Sequence, residues 1–172
     1  MKRLLGFSPE ATDLKMPLVR GGDGRLIRVT INSPIRYRRA VYKIATFFKR
    51  ELDYDFIQYG YNGHEDDENH VAFLWTHPNA FDYDDFLIPC IGATCFRWRE
   101  YTDHSPLWVM QWVWFHPYFR NSHYMGEGLL KAAWGDFKKE FPDFIPEPPL
   151  SNAMVGFLKK MEVFRVRSES GR

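Results

Sequence analysis

The nine residues from Leu107 to Phe115 constrain the fold more than any other part of the sequence. They read LWVMQWVWF, so both alternating sets of side chains are mainly apolar. A strand with this pattern needs cover on both faces of its sheet. A membrane-spanning helix needs about 20 consecutive apolar residues, more than any run here provides. We therefore predict a buried central strand in the middle of the fold, with a packed layer on each side.

The composition agrees with a folded domain exposed to water. The 172 residues are 45% hydrophobic and 26% charged, which is the balance of globular domains. We predict a single domain over residues 1–172, with flexible tails at 1–13 and 168–172. The apolar stretch near the N-terminus is only four or five residues long, too short for a signal peptide. We expect a cytoplasmic protein with no membrane contact.

The first third of the chain predicts a β-hairpin and then a helix. Apolar-rich runs at Lys15–Val19 and Leu26–Ile31 flank a glycine-rich segment, which favours a tight reversal. Ser33 and Pro34 fit an N-cap and a first-turn proline. Apolar residues then recur at steps of three and four over roughly 34–52, as in a helix.

The remaining segments predict an α/β fold with one mixed sheet. Before the central strand, β-rich segments occur at Phe56–Tyr61, Val71–Thr76 and Phe86–Trp98. After it, a helical period runs from about Gly126 to Pro142, which stops the helix. Three further elements follow: a short strand at Phe144-Ile145, a helix from Ser151 or Asn152 to Met161, and a closing strand at Val163–Val166. This order predicts a central mixed sheet flanked by helices.

The two cysteines, Cys90 and Cys95, are too few for a disulfide scaffold. In a regular strand an offset of five places two side chains on opposite faces, so we expect reduced core cysteines that do not bridge. A zinc site would need two more ligands from His104, His116 or His123. None of these lies at zinc-finger spacing, so we expect no metal.

The segment after the central strand is the strongest candidate for a ligand site. The strand ends at Phe115, a short polar loop follows, and an amphipathic helix begins near Gly126. Loop N–H groups and a helix N-terminus together can bind anionic oxygen, such as that of a phosphate. An ordinary strand-to-helix connection without a ligand fits the same sequence.

This segment resembles the GNAT superfamily of N-acetyltransferases. There the central strand ends in an apolar residue and a proline, then an Arg- or Gln-led loop with glycine, then a helix with a Leu-Leu pair. Phe115, His116-Pro117, Arg120, Gly126 and Leu129-Leu130 stand in these places. The resemblance covers roughly residues 35–166.

The resemblance implies a GNAT-like sheet and an acetyl-CoA-dependent N-acyltransferase that uses no metal. It implies that the exposed strand edge at Val113–Phe115 pairs with the pantetheine amides, and that Arg120 and the loop amides hold the pyrophosphate. The residues implied in coenzyme contact are Val113, Trp114, Phe115, Arg120, Asn121, Ser122, His123, Tyr124, Met125, Gly126 and Asn152.

Acetyl transfer to an amine needs a neutral amine, a polarised thioester carbonyl and a proton for the leaving thiolate. An alkylamine has a pKa of about 10.4, so it must lose a proton before it attacks. Glu147 and His116 are the candidate bases, although each also fits a structural role. Tyr124, Ser151 or solvent are the candidate proton donors. A backbone N–H near Trp114 or Phe115 would polarise the carbonyl.

Two features leave other interpretations open. The acidic run Glu65-Asp66-Asp67-Glu68 lies in a segment, 61–90, that has seven Asp or Glu residues and no Lys or Arg. It fits a solvated loop or a site that attracts a basic acceptor. Trp108, Trp112 and Trp114, expected on one face of the central strand, fit core packing or an acceptor pocket.

Three functions are therefore compared. The leading one is acetyl transfer, with an amine-bearing small molecule, peptide or protein as partner and a homodimer left open. The second is a catalytically degraded GNAT-fold binding module for a protein or nucleic-acid partner. The third is nucleic-acid binding through basic residues of the hairpin and first helix. These are Arg20, Arg25, Arg28, Arg36 and Arg39.

Overall fold

A computed structural model describes residues 14–20, 25–61, 69–77, 87–120 and 128–169. Within these ranges the chain forms six β-strands and three α-helices. In chain order they are β1 (Leu18–Arg20), β2 (Leu26–Val29), α1 (Ile35–Leu52), β3 (His70–Thr76), β4 (Leu87–Arg99), β5 (Leu107–Phe115), α2 (Leu129–Glu140), β6 (Ile145–Pro146) and α3 (Asn152–Glu169). A 3₁₀ turn, Pro117–Phe119, follows β5.

The strands form one mixed sheet in the order β2-β3-β4-β5-β6, with β1 paired to β4. All pairs are antiparallel except β5 with β6, which is parallel. The mixed α/β sheet is as predicted. The long strand β4, rather than β5, is the third of the five strands in this order. Outside β5 there is only β6, which has two residues.

Two apolar clusters pack on opposite faces of the sheet. One is formed by α1, whose Val41, Ile44 and Ala45 are completely buried, with residues of β1 to β5. The other is formed by α2 around Phe137, with residues of β3, β4 and β5. Phe157 of α3 contacts Trp134 of α2, with ring centroids 5.0 Å apart. Helices therefore cover both faces, as the apolar pattern of β5 predicts.

The predicted N-terminal hairpin is wrong, because β1 and β2 pair with different strands. Residues 18–20 pair with 87–89 of β4, and β2 pairs with β3. One peptide of β4 fixes the geometry: its Pro89 carbonyl accepts from His77, and its Cys90 N–H donates to Pro17. These two groups point in opposite directions, so β1 and β3 lie on opposite sides of β4. β1 is therefore on the same side of β4 as β5, beside the residues that precede Gly92, where the pairing with β5 ends.

Three other local predictions are wrong. The segment Phe56–Tyr61 is irregular rather than a strand, and the carbonyl of Gln58 in it accepts a hydrogen bond from the Trp112 indole. The segment Val163–Val166 belongs to α3, which continues to Glu169. Ser33 does not cap α1, because its Oγ accepts from the N–H of Thr30 at 2.9 Å and Pro34 occupies the N-cap position.

Two β-bulges change which side chains share a face. Cys95 pairs with Trp112 and Phe96 with Met110, so Gln111 is an extra residue in β5. Before it, Trp108 packs on the α2 side, 4.8 Å from the Phe141 ring. After it, Trp112 and Trp114 pack on the α1 side. The prediction that the three tryptophans share a face is therefore wrong.

The second bulge lies in β4, where Trp75 pairs with Gly92 and Thr76 with Cys90. Ile91 is the extra residue, and it shifts the alternation by one. Cys90 and Cys95 consequently belong to the same apolar cluster, contrary to the prediction of opposite faces. Both are buried and free, as expected, and burial raises the pKa of the Cys90 thiol to about 12.

Candidate functional site

The candidate site follows the outer edge of β5, the side that faces away from β4. The parallel strand β6 pairs there only at Val109 and Met110, and the N–H of Glu147 adds one bond to the Met110 carbonyl at 3.0 Å. Beyond Met110, no strand of the described chain pairs with this side of β5. The parallel pairing therefore ends in the middle of β5, and we call the unpaired edge from Gln111 to Phe115 the opening.

The alternation of a strand fixes which backbone groups point into this opening. The N–H of His116 donates to the Ile91 carbonyl of β4 at 2.8 Å, so Trp114 also bonds toward β4. The N–H groups of Val113 and Phe115 consequently point outward. The Phe115 carbonyl, on the same side, accepts from Arg120 Nε at 2.7 Å. Among the described residues, this side of β5 is a row of backbone groups without a strand partner, with Arg120 at its far end.

Arg120 is held by a carboxylate that the sequence did not suggest. Two nitrogens of its guanidinium donate to the two carboxylate oxygens of Glu51, in the last turn of α1. The indole Nε1 of Trp114 donates to the same carboxylate at 2.6 Å. The Arg120 guanidinium also lies 5.4 Å from the centroid of the Trp114 ring. The arginine implied in phosphate binding is therefore already part of an ion pair.

Opposing effects act on the pKa of Glu51. Burial alone would raise it, but the hydrogen bonds and positive charge of Arg120, together with the Trp114 indole, outweigh burial and lower the pKa. Glu51 is therefore ionised at neutral pH. It could have been suspected from sequence, since an acidic residue in the last turn of a helix opposes the helix dipole unless it has a partner.

The two candidate bases lie at different ends of the opening. Glu147 follows β6 beside Met110, whereas His116 follows the end of β5. Six residues separate Met110 from His116, which is about 20 Å at ~3.3 Å per residue. The structure therefore does not bring the two residues together.

Glu147 is paired with an arginine of β4. Arg99 Nε donates to one carboxylate oxygen at 2.8 Å and its Nη2 to the other at 3.1 Å. Both side chains are partly exposed, at 31% for Arg99 and 21% for Glu147. Each carboxylate oxygen of Glu147 accepts one bond from Arg99 and keeps a second lone pair that can take a proton.

His116 lies at the start of the 3₁₀ turn, where its Nδ1 accepts from the N–H of Tyr118 at 3.2 Å. Burial, and then the positive charge of Arg120, lower the pKa of His116. The imidazole is therefore neutral at pH 7, with its proton on Nε2 in this tautomer. In this arrangement His116 is suited to donate a hydrogen bond from Nε2.

The remaining candidates divide into two groups. Ser151 precedes α3 and caps it, because its Oγ accepts from the N–H of Met154 at 3.1 Å, and Asn152 is the exposed first residue of that helix. The implied loop residues Asn121, Ser122, His123, Tyr124, Met125 and Gly126 lie outside the described residues, as does the acidic run at 65–68.

Several basic residues named for nucleic-acid binding have partners within the protein. Arg28 Nε donates to Glu140 at 2.7 Å, and Arg36 donates to the Tyr37 hydroxyl at 2.9 Å. In the described ranges, no three His, Cys, Asp or Glu side chains gather as a metal site would require. Among the same residues, no helix is both long and apolar enough to cross a bilayer.

One further residue of the edge was not singled out from the sequence. Gln111 is the polar residue within the nine-residue apolar strand and the first residue after the β5–β6 pairing ends. Its amide oxygen is buried and has no hydrogen-bond partner in the part of the chain that the structure describes.

A scan against protein-family models and a search of curated proteins found no match to this chain.

Proposed function

We propose that this protein is an N-acyltransferase that moves an acetyl group from acetyl-CoA to a primary amine. The observation that carries the proposal is the end of the β5–β6 pairing at Met110. It leaves the outward N–H groups of Val113 and Phe115 facing an opening. An extended chain with amides, such as the pantetheine arm, can pair with such an edge as an added strand does.

The same edge supplies the electrostatic part of the chemistry. When the amine nitrogen attacks the thioester carbonyl carbon, a C–N bond forms and negative charge collects on the carbonyl oxygen. A fixed backbone N–H stabilises this charge without any side chain. The C–S bond then breaks, the thiolate leaves with the electron pair and accepts a proton, and the amine gives up one proton.

Glu147 is the group proposed to take the proton of the amine. It follows β6, and its N–H is bonded to Met110, where the opening begins. Arg99 holds the carboxylate in place by two bonds, and the remaining lone pairs of the carboxylate oxygens can take the proton. His116, at the far end of β5, is assigned to the coenzyme side. Ser151 and Tyr124 stay candidates for the donor to the thiolate.

A second function is favoured by the Glu51–Arg120 ion pair. If Arg120 stays on Glu51, the coenzyme pyrophosphate loses the guanidinium that the family resemblance assigns to it. A protein of this kind would keep the fold and act as a binding module without catalysis. The two functions differ in one measurable property, which is turnover of the thioester.

The direct test is calorimetry with acetyl-CoA and with free coenzyme A, followed by thioester turnover with a panel of primary amines. Saturable binding with turnover is the result expected. Binding of the coenzyme without turnover for any amine would favour the binding module. Absence of coenzyme binding would contradict acetyl transfer and would leave only a binding module whose partner is a protein or a nucleic acid.

A matched pair of variants tests the strand edge itself. Val113→Pro removes the outward N–H, whereas Val113→Ala keeps it and removes only side-chain packing. We expect acetyl-CoA affinity to fall at least tenfold in the proline variant and to change less than threefold in the alanine variant. Circular dichroism checks that both fold. Equal affinity of the two variants would contradict the edge as the pantetheine site.

A further inference from the structure

Gln111 occupies a special place on β5. It is the extra residue of the bulge, since its neighbours Met110 and Trp112 pair with the adjacent residues Phe96 and Cys95. It also follows Met110, the last residue that pairs with β6. The one polar side chain of the strand is therefore located where the opening begins.

The amide oxygen of Gln111 has no hydrogen-bond donor within the described residues, although it is buried. Native proteins leave few buried polar atoms in this state, because an unpaired buried acceptor loses its hydration without compensation. Nearby, the buried hydroxyl of Thr94 is satisfied by the Trp112 carbonyl at 2.7 Å. The Gln111 oxygen is therefore an acceptor for which the described residues supply no donor, and a donor from a ligand would satisfy it.

We infer that the side-chain oxygen of Gln111 accepts a hydrogen bond from the attacking amine. This inference rests on the proposed acetyl transfer. The reacting end of acetyl-CoA offers only acceptors, namely the carbonyl oxygen and the sulfur. The acceptor amine is the reactant that brings N–H donors to this point of the strand.

A hydrogen bond to Gln111 gives the site a preference among amines. A neutral primary amine has two N–H groups, one for the Gln111 oxygen and one to be lost to the base at Glu147. A secondary amine has a single N–H and cannot serve both groups. The substrate class is therefore a primary amine, and Gln111 is the residue that selects it over an N-methylated analogue.

The test compares Gln111→Met, which has a similar shape and no amide, with Gln111→Glu, which keeps an acceptor oxygen. For Gln111→Met we expect the KM for a primary amine to rise about tenfold, equivalent to about 1.4 kcal/mol. Its selectivity over the N-methyl amine should fall by a similar factor. Gln111→Glu should restore the KM to within about threefold of the wild type.

Two further measurements separate this role from a structural one. The Kd of acetyl-CoA should be unchanged in Gln111→Met, and its Tm should equal or exceed that of the wild type, because an unpaired buried oxygen has been removed. A lower Tm, an unchanged KM, or unchanged selectivity would overturn the inference alone. Failure of the wild type to bind acetyl-CoA or to turn it over would overturn it together with the proposed function.

Discussion

Glu51 shows how one residue joins the first helix to the end of β5. Its carboxylate receives the Trp114 indole N–H and two nitrogens of Arg120, and Arg120 in turn binds the Phe115 carbonyl. The Glu51 side chain is 20% exposed and that of Arg120 is 34% exposed. The pair is shielded enough to matter for stability, yet solvent reaches the guanidinium.

We predict that Glu51→Gln lowers the free energy of unfolding at pH 7 by about 1–2 kcal/mol, the lower part of the range for hydrogen bonds to charged groups because Arg120 is partly solvated. The pKa of Glu51 is below its ordinary value of 4.5 in the folded protein. The stabilisation is therefore present above pH 4.5 and is lost as the pH falls through the lower, folded-state pKa.

Urea unfolding of both proteins at pH 7 and at pH 3 measures this effect. The control is Asp136→Asn, which breaks the exposed Asp136–Lys139 pair on α2 and should change stability by less than about 0.5 kcal/mol. A difference between wild type and Glu51→Gln that grows as the pH falls would contradict the assigned direction of the pKa shift.

At the scale of elements, the sequence predicted which segments form helices and strands better than it predicted which strands pair. The bounds of β5 match the apolar run, and the buried residues of α1 follow the expected three- and four-residue steps, apart from Leu52, which is 45% exposed. The bulges at Ile91 and Gln111 could not be predicted, because strand alternation reverses at one added residue whose position depends on the partner strand.

The predictions of the hairpin and of the last strand were wrong for related reasons. Glycines between two apolar runs favour a reversal, but they do not specify the partner of each run, and the length of β4 provided an edge for β1. The apolar pattern at Val163–Val166 is short enough to fit a strand or a helix, and the continuation of α3 decided it. In the site, the strand edge was predictable, whereas the pairing of Glu51 with Arg120 and the lack of a partner for Gln111 depend on tertiary contacts.

The contact between β4 and β5 leads to a prediction about glycine. A Cβ added at Gly92 would collide with the Phe115 ring and lie 2.7 Å from the Trp114 carbonyl oxygen. Since the carbonyl belongs to the backbone, it cannot move aside as a flexible side chain can. We expect Gly92→Ala to lower stability by about 2–3 kcal/mol, as overpacked cores do.

Gly135 in α2 provides the matched control, because an added Cβ there meets nothing within 4 Å. Gly135→Ala should raise stability by about 0.5–1 kcal/mol through its higher helix propensity. Chemical denaturation of the two variants measures both effects. Similar free energies of unfolding for Gly92→Ala and wild type would show that β5 shifts to make room.

At the scale of the whole molecule, the end of β5 is the place where groups that contact both helical layers lie beside the proposed ligand edge. The edge of β5 begins near Met110, which packs in the apolar cluster around α2. It ends near Arg120, whose guanidinium binds Glu51 of α1. A ligand along this edge would contact groups that belong to both layers. Binding should therefore stabilise the whole fold rather than one segment.

We predict that acetyl-CoA raises the melting temperature of the full chain in a concentration-dependent way. A ligand at 100 times its Kd adds about 2.7 kcal/mol, which for a protein of this length corresponds to about 5–10 °C. Free coenzyme A should give a similar shift, because the edge and Arg120 contact parts that both molecules share. ATP lacks the pantetheine arm, so its shift should be smaller. Equal shifts from ATP and acetyl-CoA would contradict the role of the β5 edge, and no shift with acetyl-CoA at millimolar concentration would contradict the coenzyme site as a whole.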